Sequence, residues 1–340
     1  MPRNERIALI RAIEDHRGSR VICCVTSDRP NAQGVIAKDF IPVFFNHLVE
    51  FGGAAIPKLD VFLCTLGGDT LAAFGLGRVV REFTDSVAVL APEKCQSAGT
   101  LFALGANEIF MGRAATLTPI DPSVNSPLGP VVELVPGQRQ SVPVSVESVA
   151  GYRNLLKEDW KADPATMGLA FRMLAEKINP LVLGDVYRSR QQIGELARAL
   201  LSCHRKDAKR IQDIVSKLTG ELGSHDYLIS RTEARKIFGK QISSHDAALE
   251  DMLWRLFLDI KSEMKLGEIF DVNMELHAAT AAGNPLPMLD EQNIVMIEST
   301  AAGDKFERVL RLTQNQMMTP TGPTQVPQAT VVRAGWRHYN

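Results

Sequence analysis

Apolar runs of strand length alternate with amphipathic segments over the first 125 residues. Continuous apolar runs at 20–26, 59–65 and 86–90 predict buried strands. The segments 39–51, 70–83 and 98–106 carry the three- and four-residue spacing of helices. Strands and helices in this rhythm predict parallel β-α-β units with right-handed crossovers. We therefore expect an α/β fold for residues 1–125.

The remaining pattern predicts mostly helices, followed by a β-hairpin. Residues 123–143 are rich in Pro, Gly, Val and Gln and predict a loop or an extended hairpin arm. Helical patterns follow at 145–161, 165–202, 207–218, 231–238 and 249–264, with a short strand at 227–230. Residues 293–298 and 306–313 predict a hairpin. The Pro/Thr/Gln-rich segment 319–328 is expected to be loose or bound on a neighbour.

Composition indicates a globular protein of the cytoplasm. The chain is 45% hydrophobic and 23% charged with a formal net charge of −1, which gives no reason to expect nucleic acid or an anionic membrane as partner. Its basic run, 204–210, is typical of a solvated helix face. We expect no secretory leader and no membrane-spanning run. The five cysteines are expected to be reduced and mostly buried, and no C-x-x-C or H-E-x-x-H spacing predicts a metal or other cofactor.

Two short turns carry the candidate chemistry. Gly67-Gly68 follows one predicted strand, and Ser97 lies between the next strand and a helix. A serine hydroxyl beside the backbone N–H groups of Gly68 and Ala98 would have the outline of an acyl-transfer site. Taken separately each signal is weak, because a serine before a helix is usually an N-cap and two glycines often mark a plain turn. Cys95 is a rival nucleophile, although its place in a strand favours a buried thiol.

A serine nucleophile needs a base, and the sequence leaves its identity open. No His lies between His47 and His204. The candidates are Asp121, the pair His225-Asp226, and Lys94. Lys157 and Lys161 lie on a helix that is expected to be exposed.

Three motifs together resemble the serine dehydrogenase proteinase family. They are the segments 66–69 (LGGD), 92–100 (PEKCQSAGT) and 115–122 (ATLTPIDP). That family has the Clp protease/crotonase fold and is grouped with the signal-peptide peptidases. The resemblance implies a spiral α/β fold of β-β-α units, a serine nucleophile, and a homo-oligomer with partly enclosed sites. We expect a Clp/crotonase-like serine protease domain at 1–242 and a C-terminal helical and β-hairpin (α+β) extension with a loose tail at 243–340.

The resemblance also assigns roles to single positions. Gly67, Gly68 and Ala98 match the oxyanion hole, Ser97 the nucleophile, and Asp226 the acid of the Clp triad. Asp121 stands where the Clp proteases have a His. At the position of the signal-peptide peptidase Lys, the chain offers Arg139, which cannot act as a base near neutral pH. Three alternatives for the base remain: His225 oriented by Asp121, which we favour, Asp121 itself, or a Lys from a neighbouring subunit.

The expected function is that of a serine peptidase, which cleaves peptide bonds through an acyl-enzyme on Ser97. The alternatives are a crotonase-like acyl or thioester enzyme and a catalytically impaired oligomeric scaffold or peptide binder. Expected partners are a peptide or protein substrate and other copies of the chain. The family grouping leaves room for peripheral membrane association, which no segment of the sequence supports directly.

Overall fold

The computed structural model describes residues 3–52, 56–120, 123–124, 126–135, 138–283, 285–319 and 322–339. Asp121, one of the predicted site residues, lies outside these ranges, as does Pro122. The helices are α1 Arg3–Arg17, α2 Phe40–Glu50, α3 Thr70–Phe83, α4 Ala98–Leu104, α5 Val146–Asn154, α6 Pro164–Lys177, α7 Pro180–Ser202, α8 Ala208–Ser216, α9 Arg231–Phe238, α10 Ala247–Met264 and α11 Val272–Ala281. The strands are β1 Arg20–Thr26, β2 Leu59–Cys64, β3 Val87–Ala91, β4 Glu108–Met111, β5 Thr116–Leu117, β6 Ser123–Val124, β7 Val131–Val135, β8 Gln138–Ser141, β9 Val144–Ser145, β10 Ile229–Ser230, β11 Met288–Ser299, β12 Gly303–Thr319 and β13 Gly322–Tyr339.

A seven-stranded sheet organises the larger of two compact units, which combines Met1–Thr116 with Ser230–Asn340. Its strand order is β13-β12-β11-β1-β2-β3-β4, and β1 to β4 are parallel to one another. Every residue of β2 and β3 is buried, as expected for parallel strands covered on both faces. The predicted α/β fold class, with a central, mostly parallel sheet, is thereby confirmed.

The C-terminal residues extend this sheet with antiparallel strands. β11 pairs with β1, from Ile22↔Ser299 to Thr26↔Val295, and β12 and β13 follow outward. The segment 319–328 was expected to be loose or bound on a neighbour, but its described residues, 319 and 322–328, pair within β12 and β13 of the same chain, with Thr313 opposite Gln328. Its Pro/Thr/Gln composition misled the prediction, because backbone pairing does not require apolar side chains. The domain boundary after residue 242 stays a prediction, and the compact units divide the chain elsewhere.

The second compact unit, Leu117–Ile229, is mainly helical. The single helix predicted at 165–202 is wrong: α6 ends at Lys177 and α7 starts at Pro180, where the Asn179 side chain accepts from the Leu181 N–H. An N-cap residue followed by proline is a strong start signal for a new helix. The segment 123–143 contains the β7–β8 hairpin, one of the two alternatives expected for it. Lys157 and Lys161 are exposed, as predicted.

Candidate active site

The parallel pairing of β2 and β3 continues beyond both strands and brings the two predicted turns together. Thr65 bridges Cys95: the Thr65 N–H donates to the Lys94 carbonyl at 2.7 Å, and the Gln96 N–H donates to the Thr65 carbonyl at 3.0 Å. Two residues farther on, a Cβ placed on Gly67 would lie 2.7 Å from the Ser97 Cβ. The glycine turn and the serine are therefore in direct contact.

Gly67 is held by a hydroxyl that the sequence analysis missed. The Thr65 Oγ1 accepts the Gly67 N–H at 3.0 Å and lies 3.3 Å from the Gly67 carbonyl, to which it can donate. The Thr26 hydroxyl, from the neighbouring strand, donates to Thr65 Oγ1 at 2.8 Å. Gly67 itself has φ +117, a region that favours glycine. A threonine two residues before a glycine pair was the available signal, because short hydroxyl side chains commonly bond to turn backbone.

Gly68 adds a short backbone bridge to Ile36. The Ile36 N–H donates to the Gly67 carbonyl at 2.8 Å, and the Ile36 carbonyl accepts the Asp69 N–H at 2.8 Å. A side chain on Gly68 would meet the Ile36 carbonyl oxygen at 2.3 Å, and φ is +146. In a parallel bridge of this kind, residue 68 points its own N–H and C=O to the opposite side. Its N–H therefore faces away from Ile36.

Ser97 has a strained backbone at the point where the chain turns into α4. Its φ of +49 and ψ of −114 lie outside the regions that residues with a Cβ normally occupy. Ser97 occupies the N-cap position of α4, as a serine before a helix usually does, but its half-buried side chain makes no capping hydrogen bond to the helix. Ala98 is the first residue of α4, where a backbone N–H has no acceptor within its own helix.

The rival nucleophile, Cys95, is sealed in the core. It is fully buried, and this burial raises the pKa of its thiol well above the ordinary value. Nearby Cys64 and Cys24 raise it further. Because the thiolate is the nucleophilic form, Cys95 is chemically inert here. The expected burial of the cysteines holds for Cys23 as well, whereas Cys203 is exposed.

Lys94 is close to Ser97 in sequence but is held by carboxylates. Its Nζ donates to Asp28 Oδ2 and lies 3.7 Å from Glu93 Oε2. Partial burial alone would lower the Lys94 pKa, but the Asp28 hydrogen bond and the Glu93 charge outweigh it and raise the pKa. A lysine that stays protonated cannot take the serine proton.

The other predicted base residues stay predictions. His225 and Asp226 are exposed residues of the second compact unit, in the turn in which the Tyr227 N–H donates to the Ser224 carbonyl at 3.2 Å. Asp121 lies outside the described residues, and so does the side chain of Arg139.

A different serine has both a histidine and an aspartate beside it. His47 Nδ1 lies 2.8 Å from Ser299 Oγ, and His47 Nε2 lies 3.2 Å from Asp304 Oδ2 without hydrogen-bond alignment. Ser299 and His47 are both fully buried, and Ser299 Oγ also accepts the Ala301 N–H at 3.2 Å. No substrate can reach this serine, so the group stabilises the β11–β12 turn. Partners 252 residues apart leave no local sequence signal.

Neither a metal cluster nor a membrane helix is found in the described part of the chain. No three His, Cys, Asp or Glu residues within the described ranges are grouped so that they could hold a metal ion. Over the same ranges, no helix combines the length and hydropathy needed to span a bilayer.

Comparison with known proteins finds a family match in the N-terminal part of the chain. Residues 2–145 match the model of the ClpP-like SDH-type serine proteinases. The predicted resemblance is confirmed. The matched region contains the Gly67-Gly68 turn and Ser97, whereas residues 146–340 lie beyond it. Two uncharacterized proteins of Methanocaldococcus jannaschii are similar to the chain. MJ1495 is 24% identical over 241 residues, which cover 68% of this chain and 70% of that protein. MJ0137 is 27% identical over 237 residues, which cover 68% of this chain and 71% of that protein.

Solved structures of proteases are similar to this chain only with low TM-scores. The 1510-N membrane-bound stomatin-specific protease has a TM-score of 0.38 and 14% identity over 68% of this chain and 82% of its own. ClpP1 from Listeria monocytogenes has a TM-score of 0.37 and 12% identity over 70% of this chain and 99% of its own. A structure of the stomatin-specific protease in complex with a substrate peptide covers 77% of that chain, with a TM-score of 0.38 and 14% identity over 68% of this one.

Proposed function

We propose that the protein is a serine peptidase that forms an acyl-enzyme on Ser97. The observation that carries the proposal is the strained, half-buried Ser97 in contact with Gly67 at the start of α4. A serine held at a sharp strand-to-helix turn can present its hydroxyl to a substrate, and strain of this kind is concentrated at functional sites. The family match over residues 2–145 supports peptidase chemistry for the same turn.

The proposed oxyanion hole consists of the backbone N–H groups of Gly68 and Ala98. Gly68 turns its N–H away from Ile36, and Ala98 supplies the first N–H of α4. The Gly67 N–H is already bonded to Thr65 Oγ1, so Gly67 contributes space for the substrate carbonyl. Backbone donors fixed in this way require no reorganisation as negative charge develops on the substrate oxygen.

In the proposed reaction, Ser97 Oγ attacks the carbonyl carbon of a peptide bond and its proton passes to a base. The tetrahedral oxyanion forms against Gly68 and Ala98, and the base returns the proton to the leaving amine. In the second half of the reaction, water attacks the carbonyl carbon of the Ser97 ester and gives its proton to the base. The base then returns the proton to Ser97 Oγ, which leaves as the free hydroxyl. For the base we keep His225 with Asp121 and Asp226. Asp121 alone, or a Lys of a neighbouring subunit, is the alternative.

A fluorophosphonate probe tests the nucleophile directly. We expect the wild type to be labelled and Ser97→Ala to remain unlabelled. Ser299→Ala is the matched control, because Ser299 has a His and an Asp beside it but is fully buried. Loss of labelling in Ser299→Ala with labelling retained in Ser97→Ala would contradict the proposal. Absence of labelling in folded wild type would favour the scaffold, and faster turnover of thioesters than of peptides would favour a crotonase-like enzyme.

Homo-oligomer formation and a cytoplasmic location remain part of the proposal. The second compact unit exposes large apolar side chains, which is typical of a surface that binds another protein. Of the fourteen residues of α6, only Ala170 is buried, whereas Leu169, Phe171 and Met173 are 58%, 62% and 56% exposed. A helix with so few buried residues gains little stability from packing against its own chain, which supports association between copies.

A further inference from the structure

The central sheet has one long open edge, strand β13. This strand is 18 residues long and pairs on its inner side with β12. Within the described residues, no strand pairs with its outer side. All seven residues from 328 to 334 are exposed, and Val331 and Val332 are 57% and 50% exposed. A helix, α11, contacts β13, but it leaves these residues uncovered.

The open edge presents main-chain groups that have no acceptor or donor in their own sheet. In an antiparallel ladder, alternate residues point their N–H and C=O groups toward the neighbouring strand and away from it. On β13 the first set is bonded to β12, and the second set faces outward along the exposed residues. Such a row of main-chain groups is a template for another strand, and proteins usually protect it.

Proline protects only the first half of β13. Pro323 and Pro327 lie near the hairpin tip, and proline cannot donate to an added strand. From residue 328 to 339 there is no proline, and residues 313–332 carry no charged side chain. A register shift between Val309 and Leu310 on β12 increases the local twist, but it leaves the outer groups of β13 available.

The opposite edge of the sheet is closed by the chain itself. Ile109 of β4 is bridged to Ile242, and the Ser243 N–H donates to the Ile109 carbonyl at 3.1 Å. Within the described parts of the chain, the sheet therefore offers one open edge. The β13 edge can pair with the β13 edge of a second copy, and such an assembly is complete with two subunits. Pairing of β13 with β4 of another copy would need the β4 edge, which is occupied.

We propose that β13 is a self-association edge. Two copies of the chain pair residues 328–339 of their β13 strands antiparallel across a two-fold axis, joining two seven-stranded sheets into one. The charges of this segment allow it, since Arg333 and Arg337 are both paired to Glu307 on β12 of their own chain. The proposal does not depend on the role of Ser97.

The pairing is tested by substitutions that place charged side chains on both faces of the edge strand. In Val331→Lys/Val332→Lys, the new charge at position 332 lies opposite Gly335 of the second copy, with Arg333 and Arg337 of that copy as its diagonal neighbours, and like charges across paired strands are destabilising. The control is Val131→Lys/Val132→Lys on β7, where two adjacent valines of a strand are 55% and 43% exposed. The mass of the assembly is measured by sedimentation over a range of full-chain concentrations, with circular dichroism as the check on folding.

We expect the wild type and the β7 control to form dimers or multiples of dimers, and the β13 variant to dissociate to particles of half that mass, with a dimer dissociation constant at least about tenfold higher. A monomeric wild type, or a β13 variant that assembles as the control does, overturns the proposal. Hydrogen exchange of the wild type decides the matter if the variant does not fold. Outward amides of residues 328–339 must be protected in the assembly and lose protection on dilution, and fast exchange at every concentration overturns the proposal.

Discussion

Replacing Gly67 by alanine tests whether the contact between the glycine turn and Ser97 matters for reactivity. The added Cβ would lie 2.7 Å from the Ser97 Cβ and 3.1 Å from the Ala98 nitrogen. Carbon atoms pack best at about 3.5–4.0 Å, so the two turns must separate by roughly 1 Å. Both Ser97 and a proposed oxyanion donor move as a result.

A displacement of this size has a large kinetic effect. A misplacement of about 1 Å between reacting groups can cost roughly 100-fold in rate, which corresponds to about 2.7 kcal/mol of activation free energy. The alanine must also adopt φ +117, a strained backbone that costs on the order of 1–3 kcal/mol of folding stability. We therefore expect Gly67→Ala to be labelled by the fluorophosphonate at least about 100-fold more slowly than the wild type.

Gly52→Ala separates the contact from the backbone strain. Gly52 has φ +113, almost the same as Gly67, but among the described residues no atom lies within 4 Å of its Cβ position. Both variants should lose stability in urea by on the order of 1–3 kcal/mol, and only Gly67→Ala should lose labelling. Labelling of Gly67→Ala at the rate of the Gly52→Ala control would refute the assignment of Gly67 to the site.

Two further predictions concern residues that the sequence analysis did not connect to any site. Thr65→Val removes the hydroxyl that accepts the Gly67 N–H and should slow labelling by about 10- to 100-fold, whereas Thr65→Ser should retain most of it; equal rates for the two variants would remove Thr65 from the site. Burial lowers the pKa of His47 from its ordinary value of 6.5, although the charge of Asp304 acts in the opposite direction. At a pH below about 6.5, His47 therefore binds fewer protons in the folded state than in the unfolded state. The free energy of unfolding should therefore fall as the pH drops below about 6.5, by at most about 1.4 kcal/mol per pH unit from this residue. Urea titrations between pH 7.5 and 5 should show a shallower fall in His47→Gln; identical slopes would contradict the assignment.

The sequence predicted the parallel part of the fold because each element there is specified locally. Continuous apolar runs define β1, β2 and β3, and Asp69 before α3 supplies a side-chain oxygen to the Leu71 and Ala72 N–H groups. The C-terminal hairpin was underestimated for the opposite reason. Its outer strands have mixed polar composition, and what defines them is pairing with partners that a local pattern does not reveal.

The same distinction applies to the candidate site. Ser97 and the glycine pair could be predicted, because a strand, a small-residue turn and a helix follow one another in sequence. The Thr26–Thr65 hydroxyl pair could not, since Thr26 ends β1 and Thr65 follows β2, 39 residues apart. Which residue approaches Ser97 to take its proton depends on long-range packing of the same kind, and no spacing rule in the chain fixes it.

Two serines in this chain show why a pattern of neighbours does not by itself identify a nucleophile. Ser299 lies beside His47 and Asp304, yet it is fully buried, and its oxygen accepts the backbone N–H groups of Ala301 and Ala302. Ser97 has a positive φ, a half-buried side chain and a glycine in contact with its Cβ. Nucleophilic attack needs access for the substrate and donors for the oxyanion before it needs a base, because the base can act only on a hydroxyl that a carbonyl can reach. By that criterion Ser97 qualifies and Ser299 does not, and the labelling of Ser97→Ala against Ser299→Ala measures the difference.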